Sequence, residues 1–195
     1  MIFSSIEFII FFATFLLSIK FLNKFQRNLI IIFSLFFYAF WNISFVLLIL
    51  YFCIATFFFI KKNDYFKISI FIILLPLIYF KYSIFLLDVF NLNQFNHFAY
   101  NGEIPLAISF VTFTAIAAII DTKNKIFDRN LINFYSISEF ILFFPQLIAG
   151  PILRLNELVP QLQNKFVFKK ENIKLGLILF SIGFVKKIFF ADNIG

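Results

Sequence analysis

Histidine, cysteine, tryptophan and methionine occur once each in these 195 residues, and glycine and proline five times each. The single cysteine, Cys53, lies inside an apolar run, which excludes an intrachain disulfide and a thiolate metal site. The single histidine, His97 in "NQFNHFAY", has no cysteine, serine-triad context or second histidine beside it, so no general-base role is assigned to it. Paired carboxylates, HExxH, GxSxG and a P-loop are all missing. Read from chemistry alone, the chain carries no complete active site: no catalytic residue and no metal ligand set is expected. Charge is scarce too, at 14% of residues against roughly 25% in soluble domains.

What is present is apolar. Hydrophobic residues make up 62% of the chain, and mean hydropathy is +0.96. That surface is too large for one soluble core, so lipid is the expected solvent. The 36 phenylalanines act as large apolar filler. Net charge is +7, concentrated in short loops between apolar runs, which points to phospholipid headgroups rather than nucleic acid as the anionic partner. The N-terminal "MIFSSIEFIIFFATFLLSIKF" has no basic n-region, carries Glu7 early and shows no small-x-small cleavage site, so it reads as a retained first span.

A helix crosses the ~30 Å hydrocarbon layer with about 20 residues. Residues 2–22 supply one such segment. Residues 28–60 would form a helix of ~50 Å, too long for one crossing, and a split at Trp41-Asn42 gives 28–41 and 43–60. That split puts the basic loops "KFLNKFQRN" and "KKNDYFK" on one side. A crossing at 68–90 then delivers "DVFNLNQFNHFAYNGE", with two acids and no Lys or Arg, to the other side. Residues 104–120 return to the basic "DTKNKIFDR". A last segment, 175–190, holds Lys186 and Lys187, and its Gly176 and Gly183 fall on one face, where small residues let membrane helices approach closely.

The stretch 131–152 breaks the pattern. If it crossed, "RLNELVPQLQNKFVFKKENIK", with five basic and two acidic residues, would face outside. Before Pro145, residues 131–144 give only ~21 Å of helix. Pro145 and Pro151 remove backbone donors, and Gly150 permits a tight bend. Irregular backbone at membrane depth survives only where protein buries it or where it lines a wet cavity. The expected architecture is therefore all-α: one polytopic membrane domain over residues 1–195, with a re-entrant or interfacial elbow at 131–152. Asn133, Ser136 and Glu139 form a polar stripe expected on the wet side of an interfacial helix. Lys81 is expected to pair with Asp88, seven residues on, or to snorkel outward. Arg154 suits a phosphate or an anionic headgroup, with snorkelling as the plainer alternative.

Five blocks, "SLFFYAFWN" (34–42), "FKYSIF" (80–85), "IPLAISFVTFTAIAAIID" (104–121), "FFPQLIAGPILRLNELVPQL" (143–162) and "GFVKKIFFADNIG" (183–195), resemble the membrane-bound O-acyltransferases, most nearly the alginate O-acetyltransferase branch. The resemblance implies an enzyme of the bacterial inner membrane that passes an acyl group from a cytoplasmic, acetyl-CoA-like donor toward an extracytoplasmic glycan such as alginate or peptidoglycan. It also implies a periplasmic acetyl-transfer partner. It places Pro145, Gln146, Gly150, Pro151 and Arg154 as motif positions near a donor entrance. The family's catalytic histidine lies in downstream motifs that nothing here matches, so the expectation is an N-terminal portion, inactive alone, with no cofactor bound in it and a C-terminal half as partner. The family commonly has Pro where this chain has Ile43 and Gly where it has Ala107. The competing reading is a small membrane transporter or channel subunit, because such proteins also build sites from proline-broken segments; few intramembrane charges and the lack of a repeat stand against it.

Overall fold

The computed structural model describes residues 5–62, 65–92, 99–128, 132–147 and 150–191. Among them every regular element is helical, and the chain divides into two units, residues 1–29 with 164–195, and residues 30–163. Two helices are long and apolar enough to cross a membrane, or up to three if one bent pair forms a single span. This is a membrane protein of the all-α class.

In the first unit, α1 (Ile6–Phe21) starts at Ser5, whose hydroxyl accepts from the Phe8 N–H at 3.2 Å. Glu7 in its first turn and Lys20 in its last complement the helix dipole. Sixteen residues give only ~24 Å, so α1 is long enough to cross a membrane only together with Asn23–Trp41, from which it bends by 105°. α10 (Lys170–Val185) continues into a π-helical segment, Lys186–Ala191. Stacked rings join α1 to α10: Phe8 on Phe12, Phe12 on Phe180 and Phe180 on Phe184, with centroids 5.9, 6.4 and 6.1 Å apart. The buried Gln26 amide donates to Asn164 O at 2.9 Å and accepts from the Phe166 N–H at 2.8 Å, so one side chain pairs with the backbone as a neighbouring strand would. Among the described residues nothing lies within 4 Å of a Cβ placed at Gly176 or Gly183, so no close helix approach is seen there.

The second unit is built around α3 (Val46–Lys61). Its predecessor α2 (Gln26–Trp41) ends at Asn42, an extended residue whose side chain accepts from the Ser44 N–H at 2.9 Å and starts the short 3₁₀ turn into α3. α3 buries Ile49, Phe52, Cys53, Thr56 and Ile60, a stripe at helical spacing. It packs against α4 (Phe66–Leu77), α6 (Ile108–Lys123) and α7 (Phe134–Leu142). Of its spanning window 44% is buried, against 11% for Phe66–Val89, so α3 is the inner helix and Phe66–Val89 presents most of its surface outward. Ala115 and Ala118 are fully buried on α6, where small side chains let helices pack closely.

Phe66–Val89 runs through α4, a π-helical turn at Ile78–Tyr82 and α5 (Ser83–Val89). Pro76 explains the irregularity: it has no N–H to give Ile72 O four residues back. Tyr51 on α3 meets that need, its hydroxyl donating to Ile72 O at 2.9 Å. α6 begins at Ile108 rather than Ile104, behind Ala107 in the left-handed region (φ 54°), a conformation that a Cβ makes costly.

Candidate functional site

The elbow is assembled from three short helices. Asn133 caps α7, accepting from the Ser136 N–H at 2.8 Å and the Ser136 hydroxyl at 2.9 Å. Ser136 in turn accepts from Gln163 Nε2 at 3.2 Å, which ties α7 to the end of α9 (Leu155–Gln163). α7 ends at Phe143, where the chain turns into the four-residue α8 (Phe144–Leu147). Pro145 sits in the first turn of α8, where an N–H would have no intrahelical acceptor.

Protein meets the backbone groups freed by these breaks. The Phe144 N–H donates to Ser34 Oγ on α2 at 3.3 Å, and the Phe144 ring packs on Phe37 at 5.5 Å. Gln146 closes the turn twice: its carbonyl accepts from the Gly150 N–H at 3.0 Å, and its Nε2 donates to Pro151 O at 3.0 Å. Gly150 is needed for that closure, because a Cβ would lie 2.8 Å from Gln146 Cα and 2.9 Å from Gln146 O. Pro145, Gln146, Gly150 and Pro151 are thus brought together in one turn. Gln146 Oε1 is buried and has no hydrogen-bond partner among the described residues.

Arg154 starts α9 and reaches across to α6, where its Nη1 stands 4.0 Å from Asp121 Oδ1. Asp121 is the residue that the sequence reading missed. Its signal was present: a carboxylate in the last turn of α6 opposes the helix dipole and calls for a cation. Its second oxygen, Oδ2, is buried with no hydrogen-bond partner among the described residues.

Two expectations need correction, for Glu139 and for Lys81. Glu139 does not face water: it is fully buried, as is Ser136, while Phe134 and Tyr135 take the exposed side of α7. Ser136 and Glu139 point inward because α7 packs on α3 and α9, and because Ser136 is needed there for Gln163, while Asn133, the first residue of the stripe, stays exposed as the cap. Lys81 bonds not to Asp88 but to Ser109 on α6, Nζ to Oγ 3.2 Å, and stays exposed. His97 lies outside the described residues. Lys186 and Lys187 fall in the π-helical segment after α10, both exposed. No group of three His, Cys, Asp or Glu able to hold a metal occurs among the described residues.

Among the described residues this geometry provides a folded-back loop, two buried acceptors without partners and an exposed guanidinium, which are positions for a ligand. No family model matches the chain, and no solved structure does. Curated relatives do. A peptidoglycan O-acetyltransferase of Helicobacter pylori is 34% identical over 87% of this chain and 39% of its own length. The proteins named probable alginate O-acetylase AlgI of Pseudomonas syringae pv. tomato and of Pseudomonas aeruginosa are 29% and 30% identical over 100% of this chain and 40% of their own. The chain thus spans about two fifths of the length of these relatives. It is homologous over most of its length to peptidoglycan and alginate O-acetylases, the branch of the membrane-bound O-acyltransferases that its five sequence blocks resemble.

Proposed function

We propose that this chain forms the N-terminal part of a multi-pass inner-membrane O-acetylase that moves an acetyl group from a cytoplasmic donor toward a hydroxyl of an extracytoplasmic polysaccharide. One observation supports the reading: the "FFPQLIAGPILR" turn, which with four other blocks resembles the family, is irregular backbone tied to its neighbours by Ser34 and Gln146, with the Arg154 guanidinium beside Asp121. A loop built in that way suits a place where a water-soluble donor meets a membrane-embedded path. In this reading Pro145, Gly150 and Pro151 shape the entrance, Gln146 closes it, and Arg154 offers planar N–H donors to a phosphate-bearing donor. The base that would activate the acceptor hydroxyl belongs to the region that corresponds to the rest of the relatives' length, and a periplasmic partner receives the acetyl group. Without that region these 195 residues transfer nothing.

The test is co-expression in a bacterial host with the histidine-bearing remainder of a relative, followed by mass-spectrometric counting of O-acetyl groups on cell-surface glycan. Acetylation is expected only when both parts are present. Acetylation by the 195-residue chain alone, or none from the pair when both are stably inserted, would overturn the proposal.

A further inference from the structure

Arg154 is anchored by its backbone more firmly than by its side chain. Its carbonyl accepts from the Glu157 and Leu158 N–H groups at 3.1 and 3.2 Å, and its own N–H donates to the Glu157 carboxylate at 3.3 Å. The guanidinium is 58% exposed, and its ion pair with Asp121 is 4.0 Å long, beyond hydrogen-bond range. Asp121 is only 6% exposed, with Oδ2 unpartnered among the described residues. A buried carboxylate thus holds the guanidinium by charge alone, and most of its fork of N–H donors stays open to solvent. Lysines on α4 and at the end of α6 accompany the two carboxylates, Asp121 and Glu157. Lys123 lies one turn-end beyond Asp121, 3.4 Å over the Phe66 ring, and Lys67 follows Phe66. Lys125 is exposed in the same post-α6 turn.

We propose that Arg154 is a receptor for a phosphate group, and that Asp121 restrains it by presenting a competing negative charge. An incoming phosphate takes the open edge of the guanidinium in the bidentate manner that its planar fork favours. Asp121 then acts in two ways with opposite signs. It fixes Arg154 against α6, which stabilises the fold, and it repels the ligand, which weakens binding. The phosphate can belong to a soluble acyl donor or to a lipid headgroup, and the chemistry at Arg154 is common to both. This inference rests on the proposed reading only in taking the elbow to be open to water.

The experiment uses the full chain in phosphate-free alkyl-maltoside micelles and follows the side-chain ¹⁵N resonances of arginine, assigned through Arg154→Gln. One arm titrates inorganic pyrophosphate, the other phosphatidylglycerol doped into the micelles. Saturable shifts of the Arg154 resonance are expected in one arm, which identifies the source. Asp121→Asn is expected to tighten that binding by about two- to five-fold, the range set by an exposed ion pair, while lowering the unfolding temperature. No saturation in either arm overturns the proposal, as does an Asp121→Asn variant that binds no better than wild type, the result for a purely structural latch. Should Asp121→Asn not fold, Asp121→Ser and the salt dependence of the wild-type affinity decide: binding that does not weaken with ionic strength refutes a charge receptor. Acetyl transfer by the reconstituted enzyme is a separate readout, so either idea can fail alone.

Discussion

α4 and α6 run antiparallel, and their two ends are built differently. At one end Phe66 meets Lys123; at the other, about 22 Å away along α4, Lys81 meets Ser109. The first end is ionic, with Asp121, Arg154 and the lysines beside them. The second is aromatic: Tyr79, Phe80 and Tyr100 pack with centroids 4.7–5.8 Å apart, and Phe45 adds its edge to Phe80 at 5.8 Å. Both ends contain broken backbone, and both repair it with side chains from neighbouring helices. At the ionic end Ser34 takes the Phe144 N–H; on the way to the aromatic end Tyr51 serves Ile72 O, and Tyr38 donates to Leu106 O at 3.1 Å. Repair is therefore common to the whole unit. What differs is charge, and charge marks the end suited to an anionic ligand. The asymmetry also matches the difference in Lys/Arg content between the loops.

Four substitutions probe that comparison, each read by thermal or denaturant unfolding in detergent. Gly150→Ala should do the most damage, about 2–3 kcal/mol, because its Cβ would collide with Gln146 backbone and open the elbow at the ionic end. A loss below about 0.5 kcal/mol would mean the Gln146–Gly150 turn is not tightly closed. Tyr51→Phe should cost about 1–2 kcal/mol by leaving Ile72 O without its donor, and a neutral result would show that water reaches the Pro76 break. Ala107→Gly should stabilise by about 0.5–1 kcal/mol, since only a Cβ strains the φ of 54° there; destabilisation would show that the turn is not held left-handed. Lys81→Met should change stability by less than about 0.5 kcal/mol, because its bond to Ser109 is exposed. A larger loss would make the aromatic end depend on charge after all, and would erase the contrast.

The legible parts of the fold were those that local chemistry dictates. The break at Trp41-Asn42 could be placed because residues 28–60 are too long for one crossing and the split puts two basic loops on one side, and the structure adds that Asn42 caps the turn into α3. The turn at 143–154 was visible from its prolines and glycine, and Ala107 stood out as a position where the family carries Gly. Glu139 shows where such reading stops. A period-three polar stripe marks a face, but does not say whether that face meets water or another helix, and here the partners on α3 and α9 decide. Lys81 is similar: Asp88 was near in sequence, yet Ser109, twenty-eight residues on, holds the ammonium.

From composition and order of residues alone it follows that lipid is the solvent, that the regular structure is helical, and that helices break near Trp41-Asn42 and before Pro145. These are properties of composition, run length and local sequence. Only the tertiary structure decides which groups answer the breaks: Ser34 for Phe144, 110 residues apart; Tyr51 for Ile72, 21 apart; Gln26 for Phe166, 140 apart; and Asp121 for Arg154. A backbone donor or acceptor that loses its helical partner inside lipid must find another, but any hydroxyl, amide or carboxylate brought near enough will serve, and proximity is set by packing rather than by position along the chain.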